Sequence, residues 1–351
     1  MERNFYLLVK KLVEDHDLEI GVLFSQSTGY YYNAIKKLGC KIIIVKLRRG
    51  FDLSKTLLAA NYMRQYDIHH FHNSAFPFII ASIISSKGYR ILTCRGGRHQ
   101  FNLIKQFREQ LVKFLIHFFF HSITGNTRHA ARVASELYRI PMSNIKVTYN
   151  VLDFDSIHAK VSKTEVRQEL GIKNELVIGS AANFKKWKRL DILIELLSRL
   201  TGDDNKLLLI GDGSESRHLY SLACKLGVVD RVIFAGMKKA IFDYMNAIDI
   251  FILPSNTGES FGNAAVEAMV LGIPTIVLED GGGLTEHIIA NKTGYIATSF
   301  EHLADITLRL KKSATLRKTV GLAGKDHIIN KYDPLKTSKV YKDLYTSFAL
   351  N

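Results

Sequence analysis

The sequence predicts an α/β protein made of two parallel, doubly wound domains. Short runs of β-branched and aliphatic residues alternate with helix-spaced segments along nearly the whole chain, and that alternation belongs to strands joined by helical crossovers. The stretch Ala247 to Leu278 holds one complete strand, loop, helix and strand. The alternation restarts at Leu176 after a polar interval, within 351 residues, a length at which two domains can each bury a core.

The first half opens on a helix at Asn4 to His16, where Phe5, Leu8, Val9 and Leu12 fall at helical spacing, followed by a strand at Leu18 to Phe24 and a turn at Ser25 to Gly29. Asn33 to Leu38 is a short helix ended by Gly39, and Lys41 to Leu47 is a strand. Ser54 caps a helix reaching Tyr66, before a strand at Ile68 to Phe71. Pro77 to Ser85 is an apolar helix and Tyr89 to Thr93 a strand. Ser122 to Gly125 and Ile145 to Val151 are strands flanking a helix at Arg128 to Tyr138.

Gln100 to His121 stands apart, with Lys105, Arg108 and Lys113 among Phe101, Leu103, Ile104, Phe107, Leu111 and Phe114 and a cluster of aromatics around Leu115. As a helix it is apolar on a broad face and basic on the other. Two uses fit: packing into the core, the favoured one, and contact with an anionic membrane surface.

In the second half, the polar stretch from Asp155 to Lys173 is expected to be a linker. A strand at Leu176 to Ser180 runs through Ala181 to Phe184 into a helix over 185–200, with Leu190, Leu193, Ile194 and Leu197 on one face. Lys206 to Ile210 is a strand ending in Gly211-Asp212-Gly213, a turn before a helix at Ser216 to Leu226. These glycines suit either the approach of a nucleotide base or the turn alone. Arg231 to Ala235 is a strand, and Asp243 to Asn246 lead into the central unit. There Ile250 to Leu253 is stopped by Pro254. Ala264 to Leu271 is a helix closed by Gly272 and Pro274, and Thr275 to Leu278 is the second strand. Gly281 to Gly283 and Glu286 make a further loop-to-helix junction, Glu301 to Tyr332 is helical, and Lys336 to Phe348 is a last helix.

The loop from Ser255 to Asn263 is rich in small and polar residues and ends at a helix N-terminus. Backbone amides there and the positive helix end favour an anion. Glu259 lies in this loop and Glu267 on the helix, with seven residues between them. Two carboxylates so placed can each accept from vicinal hydroxyls, gripping two sugars that flank a phosphate. Lys185, Lys186, Lys188 and Arg189 crowd the start of the 185–200 helix. Cations oppose the macrodipole at that end, so a diphosphate between them and the backbone is the expected reason for them.

The glutamate pair, set between strand, glycine, helix and proline in that order, resembles the signature of the retaining GT-B glycosyltransferases of the family-4 group. The resemblance implies two Rossmann-like domains facing a cleft: an acceptor domain over 1–155, a nucleotide-sugar domain over 156–334 and a helix over 335–351 that returns to the first. Asn150-Val151-Leu152-Asp153 stands where the family ends its first domain, and Gly281 to Gly283 with Glu286 match a family glycine pair and glutamate. It further implies that Glu267 holds ribose hydroxyls, that Lys188 and the amides of Gly262, Asn263 and Ala264 hold the diphosphate, and that Glu259 holds the donor sugar. Asn183, Arg189, Gly213 and Phe261 join the donor side.

Two departures bear on this. The family opens on a strand and a glycine-rich loop, whereas Asn4 to His16 comes first here, so that strand is either absent or replaced by Leu18 to Gly29. Where the family often has a histidine after the strand matching Tyr89 to Thr93, this chain has Arg95, with His99 further on. Arg95 or His99 takes that catalytic place, and His72 faces the acceptor. The family implies retention of configuration, no metal, and no cofactor beyond a UDP- or GDP-sugar co-substrate. An epimerase or phosphorylase on the same fold, and a non-catalytic partner subunit, are the rival readings.

Composition narrows the partners. The chain carries a net charge of +15, and residues 1–150 hold 22 Lys+Arg against 9 Asp+Glu while the remainder holds 26 against 24. A basic first half suits an anionic membrane or a phosphate-bearing acceptor, lipid-linked or saccharide, as in surface-polysaccharide or glycolipid assembly. No nucleic-acid motif accompanies the charge, so nucleic acid is not expected. Cys40, Cys94 and Cys224 are too scattered for a disulfide framework or a zinc site. With no run of eighteen apolar residues, a cytoplasmic protein, peripheral at the inner membrane face, is expected.

Overall fold

Among the described residues every strand pairing is parallel. The computed structural model describes residues 2–14, 18–25, 30–46, 52–72, 76–96, 103–200, 202, 204–256 and 258–349. The chain divides into one unit of Met1–Leu152 with Tyr332–Asn351 and a second of Asp153–Lys331.

The first unit begins with α1 (Glu2–Val13), β1 (Gly21–Phe24), α2 (Tyr30–Lys36), β2 (Lys41–Ile44), α3 (Leu53–Met63) and β3 (Ile68–Phe71). It continues with α4 (Phe76–Ile84), β4 (Tyr89–Cys94), α5 (Leu103–Phe119), β5 (Ser122–Gly125), α6 (Arg128–Tyr138) and β6 (Ile145–Val147). Strands β1 and β2 pair with each other, and β3 to β6 form a sheet in sequence order. Its core sets Ile79, Leu92, Ile123 and Ile145 against Ile116 of α5. A helix therefore precedes the opening strand, which is short and set at Gly21–Phe24.

The second unit runs through α7 (Lys163–Glu169), β7 (Leu176–Ala181), α8 (Asp191–Arg199), β8 (Asn205–Ile210), α9 (Ser216–Lys225), β9 (Val232–Gly236) and α10 (Ile241–Asn246). It ends with β10 (Ile250–Leu253), α11 (Asn263–Val270), β11 (Thr275–Leu278), β12 (Tyr295–Ala297), α12 (Phe300–Lys312) and α13 (Ala314–Lys331). Its six strands lie in the order β12-β11-β10-β7-β8-β9. The order reverses between β7 and β10, and the crevice past the strand ends at such a point is where this class of sheet binds ligands. Both strands are almost wholly buried, so β-branched and leucine side chains fill both faces. Helix α13 passes close over the end of α11: a Cβ on Gly321 would stand 2.0 Å from the Gly272 carbonyl oxygen and one on Gly324 2.7 Å from that of Thr293. The last helix, α14 (Pro334–Ala349), belongs to the first unit, where Tyr341 donates to the Thr148 carbonyl at 3.0 Å and Phe348 stacks on Tyr89.

Several boundaries differ from expectation. The stretch 155–173 is not a bare linker. Ser162 and Glu165 form a reciprocal capping box that starts α7, and Asp249 ties that helix down through Lys163 and Arg167. The helix expected over 185–200 begins only at Asp191, because Lys186–Lys188 is a 3-10 turn and Arg189 is left-handed at φ 52°. Asp52, not Ser54, caps α3, accepting from the Lys55 amide. The segment 301–332 breaks at the extended Ser313 into α12 and α13. The strand expected to Val151 stops at Val147, and β12 is a strand with no sequence signal, its three residues being too few to set a period.

Candidate functional site

The two loops that meet at the strand reversal carry the candidate chemistry. Beyond β7 the chain turns through Asn183 and Phe184, whose amide donates to the Asp212 carbonyl at 2.9 Å and whose carbonyl accepts from the Glu215 amide at 3.1 Å. Gly213 lies against this turn: a Cβ there would come within 2.3 Å of the Phe184 carbonyl oxygen and 2.7 Å of Asn183 Oδ1. Its amide is spent on Asp212 and Ser216. The glycine at this position is thus accounted for by the packing of one loop on the other.

The 3-10 turn that follows brings Lys188 Nζ onto Glu259 Oε2 in a direct ion pair, with both side chains largely buried. Ser255 Oγ donates to the same carboxylate oxygen at 3.3 Å. The ammonium also stands 4.2 Å from the centre of the Trp187 ring. Because Asn256 donates from its amide to the Trp187 carbonyl at 3.1 Å, the β7 and β10 loops are tied through backbone as well as charge. Arg189, left-handed, points to Asp280 Oδ2 at 2.8 Å and stays outside the pair.

The loop then enters α11. Gly262 is left-handed at φ 67°, and a Cβ there would strike Leu284 Cδ2 at 2.1 Å and approach Glu259 Cγ to 3.3 Å. Asn263 and Ala264 open the helix, where the first amides have no acceptor inside the helix. Phe261 turns its side chain inward, buried in edge contact with His287 at 4.7 Å. His287 Nε2 bonds the Phe261 carbonyl, and burial pushes this imidazole down to about 3, so it is a neutral donor. Glu267 lies within α11, 6% exposed.

Of the residues expected in the first unit, Arg95 and His72 come together. Arg95 Nε and Nη2 lie 3.2 and 2.9 Å from His72 Nδ1, and Nη1 donates to Asn150 Oδ1 at 3.0 Å. His99 and the side chains of 101–108 lie outside the described residues. Sequence reasoning missed Trp187, Ser255, Asp280 and His287. Only Trp187 carries a signal, as the single tryptophan of the chain, next to Lys188.

Residues 162–327 match the family model for glycosyl transferases group 1. The matched stretch spans nearly the whole second unit and includes Lys188, Glu259 and Glu267. Over 354 residues the chain is 22% identical to the O-antigen biosynthesis glycosyltransferase WclY of Escherichia coli, covering 97% of this chain and 89% of that protein. It is 29% identical over 229 residues to N-acetyl-alpha-D-glucosaminyl L-malate synthase of Bacillus anthracis, covering 64% of this chain and 57% of the other. Anabaena Alr3699/HepE, solved in complex with UDP, is similar over 99% of this chain and 96% of its own, with a TM-score of 0.85 and 19% identity. The fold these likenesses show is the GT-B α/β fold.

Proposed function

We propose that this protein is a retaining, metal-independent glycosyltransferase. It moves a sugar from a UDP- or GDP-sugar to a lipid-linked or saccharide acceptor in surface-polysaccharide or glycolipid assembly at the inner membrane face. The observation that carries the reading is the meeting of Lys188 with Glu259 at the strand reversal, beside the N-terminus of α11. HepE has been solved with UDP-glucose, and WclY is named for O-antigen biosynthesis, which supports a nucleotide sugar and a polysaccharide acceptor.

As the donor's glycosidic bond breaks, the sugar becomes oxocarbenium-like and charge collects on the departing diphosphate. Lys188, beside the positive N-terminal end of α11, would stabilise that charge as a preorganised donor, with the amides of Gly262, Asn263 and Ala264 as its proposed helpers. Arrival of the diphosphate gives Lys188 a second anion and frees Glu259 to accept from the donor sugar's hydroxyls. Glu267 then takes the ribose hydroxyls from within α11. Arg95 or His99 is the first unit's proposed catalytic group, and His72 its proposed acceptor residue. The membrane part rests on α5. Val112, Leu115 and Ile116 are buried, yet Leu111, Phe114 and Phe118 form an exposed stripe, 38, 53 and 64% accessible.

A thermal-shift screen of UDP- and GDP-sugars against the intact protein and Glu267→Ala tests the donor assignment. One nucleotide series should raise the melting temperature of the intact protein and lose most of that shift in the variant. An equal shift in both refutes the role of Glu267.

A further inference from the structure

Among the described residues of the first unit stands a cation that its neighbours do not neutralise. Arg95 stands immediately after β4, His72 immediately after β3, and Asn150 three residues beyond β6, so loops past three strand ends converge on one guanidinium. Both of its partners are neutral acceptors. A ring nitrogen that accepts from a guanidinium is unprotonated, and burial, with His70 and Arg95 alongside, holds His72 well below its ordinary range. His70 packs on His72 at 4.2 Å and is pushed to about 3 by burial and Arg95. Its nitrogens meet Tyr345 Oη and Thr93 Oγ1, both at 2.7 Å. The other titratable groups acting on Arg95 are the hydroxyls of Tyr341 and Tyr345, both raised by burial and therefore protonated at neutral pH. Among the described residues no carboxylate pairs with Arg95.

A desolvated cation held only by neutral groups is a cost to the fold, and proteins accept such costs where a ligand supplies the missing charge. After the bonds to His72 and Asn150, the guanidinium keeps an unspent N–H on each terminal nitrogen. A planar guanidinium with two donors left suits an anion that presents more than one oxygen. The position, past the carboxyl ends of a parallel sheet, is the edge where such folds bind ligands. The surrounding excess of 22 Lys+Arg over 9 Asp+Glu in residues 1–150 favours an anion at this edge.

We propose that Arg95, oriented by His72 and Asn150, is the oxyanion-binding group of a site in the first unit, taking a phosphate monoester or carboxylate carried by the acceptor. That the anion sits on an acceptor rests on the transferase reading; the site rests on the groups of the first unit alone.

The test is calorimetric titration of the full chain with inorganic phosphate and with glucuronate, in saturating UDP so that the phosphate sites of the second unit are filled. Wild type, Arg95→Gln and Arg95→Lys are compared. One of the two anions should bind wild type at least tenfold more tightly than Arg95→Gln. Arg95→Lys, which keeps the charge but loses the fork, should recover only part, and the anion that binds more tightly identifies the class. The ligand-free Arg95→Gln protein should melt no lower than wild type, since it sheds an uncompensated charge. Equal affinity of wild type and Arg95→Gln for both anions overturns the site. So does a lower ligand-free melting temperature in Arg95→Gln with no change in anion binding, which marks Arg95 as a structural tie. UDP affinity, measured beforehand by a separate titration of wild type, judges the donor assignment separately: no binding of UDP would refute the second-unit reading and leave the comparison of wild type with the Arg95 variants intact.

Discussion

At the scale of single residues, the ion pair of Lys188 and Glu259 decides most. Its two side chains are 12 and 11% exposed, so removing one partner strands a charge that water reaches poorly. Lys188→Met should destabilise the second unit by about 3–5 kcal/mol, because it removes the neutralising charge, and on the proposed function it should lower turnover about 10²–10³-fold through loss of the proposed diphosphate donor. Adding Glu259→Gln to it should restore part of the stability and none of the turnover. Urea denaturation of the two proteins alongside a sugar-transfer assay checks this, and a double variant less stable than the single one counts against the pair. Lys188 and Glu259 stand out in the sequence because residue type, spacing and the flanking strand and helix signals coincide, and the structure brings these two into one ion pair. Ser255, Trp187 and His287 do not, since each acts by a contact across loops that no local pattern encodes.

At the scale of elements, the parallel alternation could be read from β-branched runs and helical spacing, whereas helix starts could not. The chain over 185–200 has one continuous apolar face, yet its first residues form a 3-10 turn because Lys188 is drawn to Glu259 and Arg189 to Asp280. A tertiary ion pair outweighs the local helical preference there. In α7 the opposite holds: a single buried residue, Val166, leaves no period to detect, and the capping box with Asp249 makes the helix. Two glycines separate strain from collision. Gly211 has φ +130° and its Cβ would lie 1.9 Å from the Ala182 carbonyl oxygen, whereas Gly272 has φ +77° with nothing within 4 Å. Gly272→Ala should therefore cost only the backbone term, about 1 kcal/mol. Gly211→Ala must also push apart the ends of β7 and β8 and should cost at least twice that, about 2 kcal/mol or more. Equal urea midpoints for the two variants would show that the loop past β7 yields without cost.

At the scale of the whole molecule, charge and burial make separable predictions. The basic first half and the exposed stripe of Leu111, Phe114 and Phe118 predict flotation with liposomes containing anionic lipid and little with neutral ones. Phe114→Ser with Phe118→Ser should abolish it, and equal flotation on both lipids would remove the membrane from the account. Burial makes the second prediction, through histidines. His70 and His287 are each pushed to about 3, and His72 well below its ordinary range, with desolvation the largest cause in all three. Their folded pKa values lie below the unfolded value near 6.5, so between those limits the unfolded chain binds more protons and stability falls as pH falls. The contribution is fully present above about pH 6.5, and each group then adds a slope of up to about 1.4 kcal/mol per pH unit on acidification. Asp249, whose carboxyl is lowered by Lys163 and Arg167 against the effect of burial, loses its share only below the ordinary carboxylate range. The interval from pH 6.5 to 5 therefore isolates the histidines. Urea midpoints should be level from pH 8 to 7 and drop through that interval. In His287→Gln, whose amide can still donate to the Phe261 carbonyl, the drop should be shallower by one group's share. A midpoint that stays level to pH 5 would mean that these imidazoles take up protons without unfolding, and that the neutral acceptors assigned to Arg95 and the donor assigned to Phe261 are wrong.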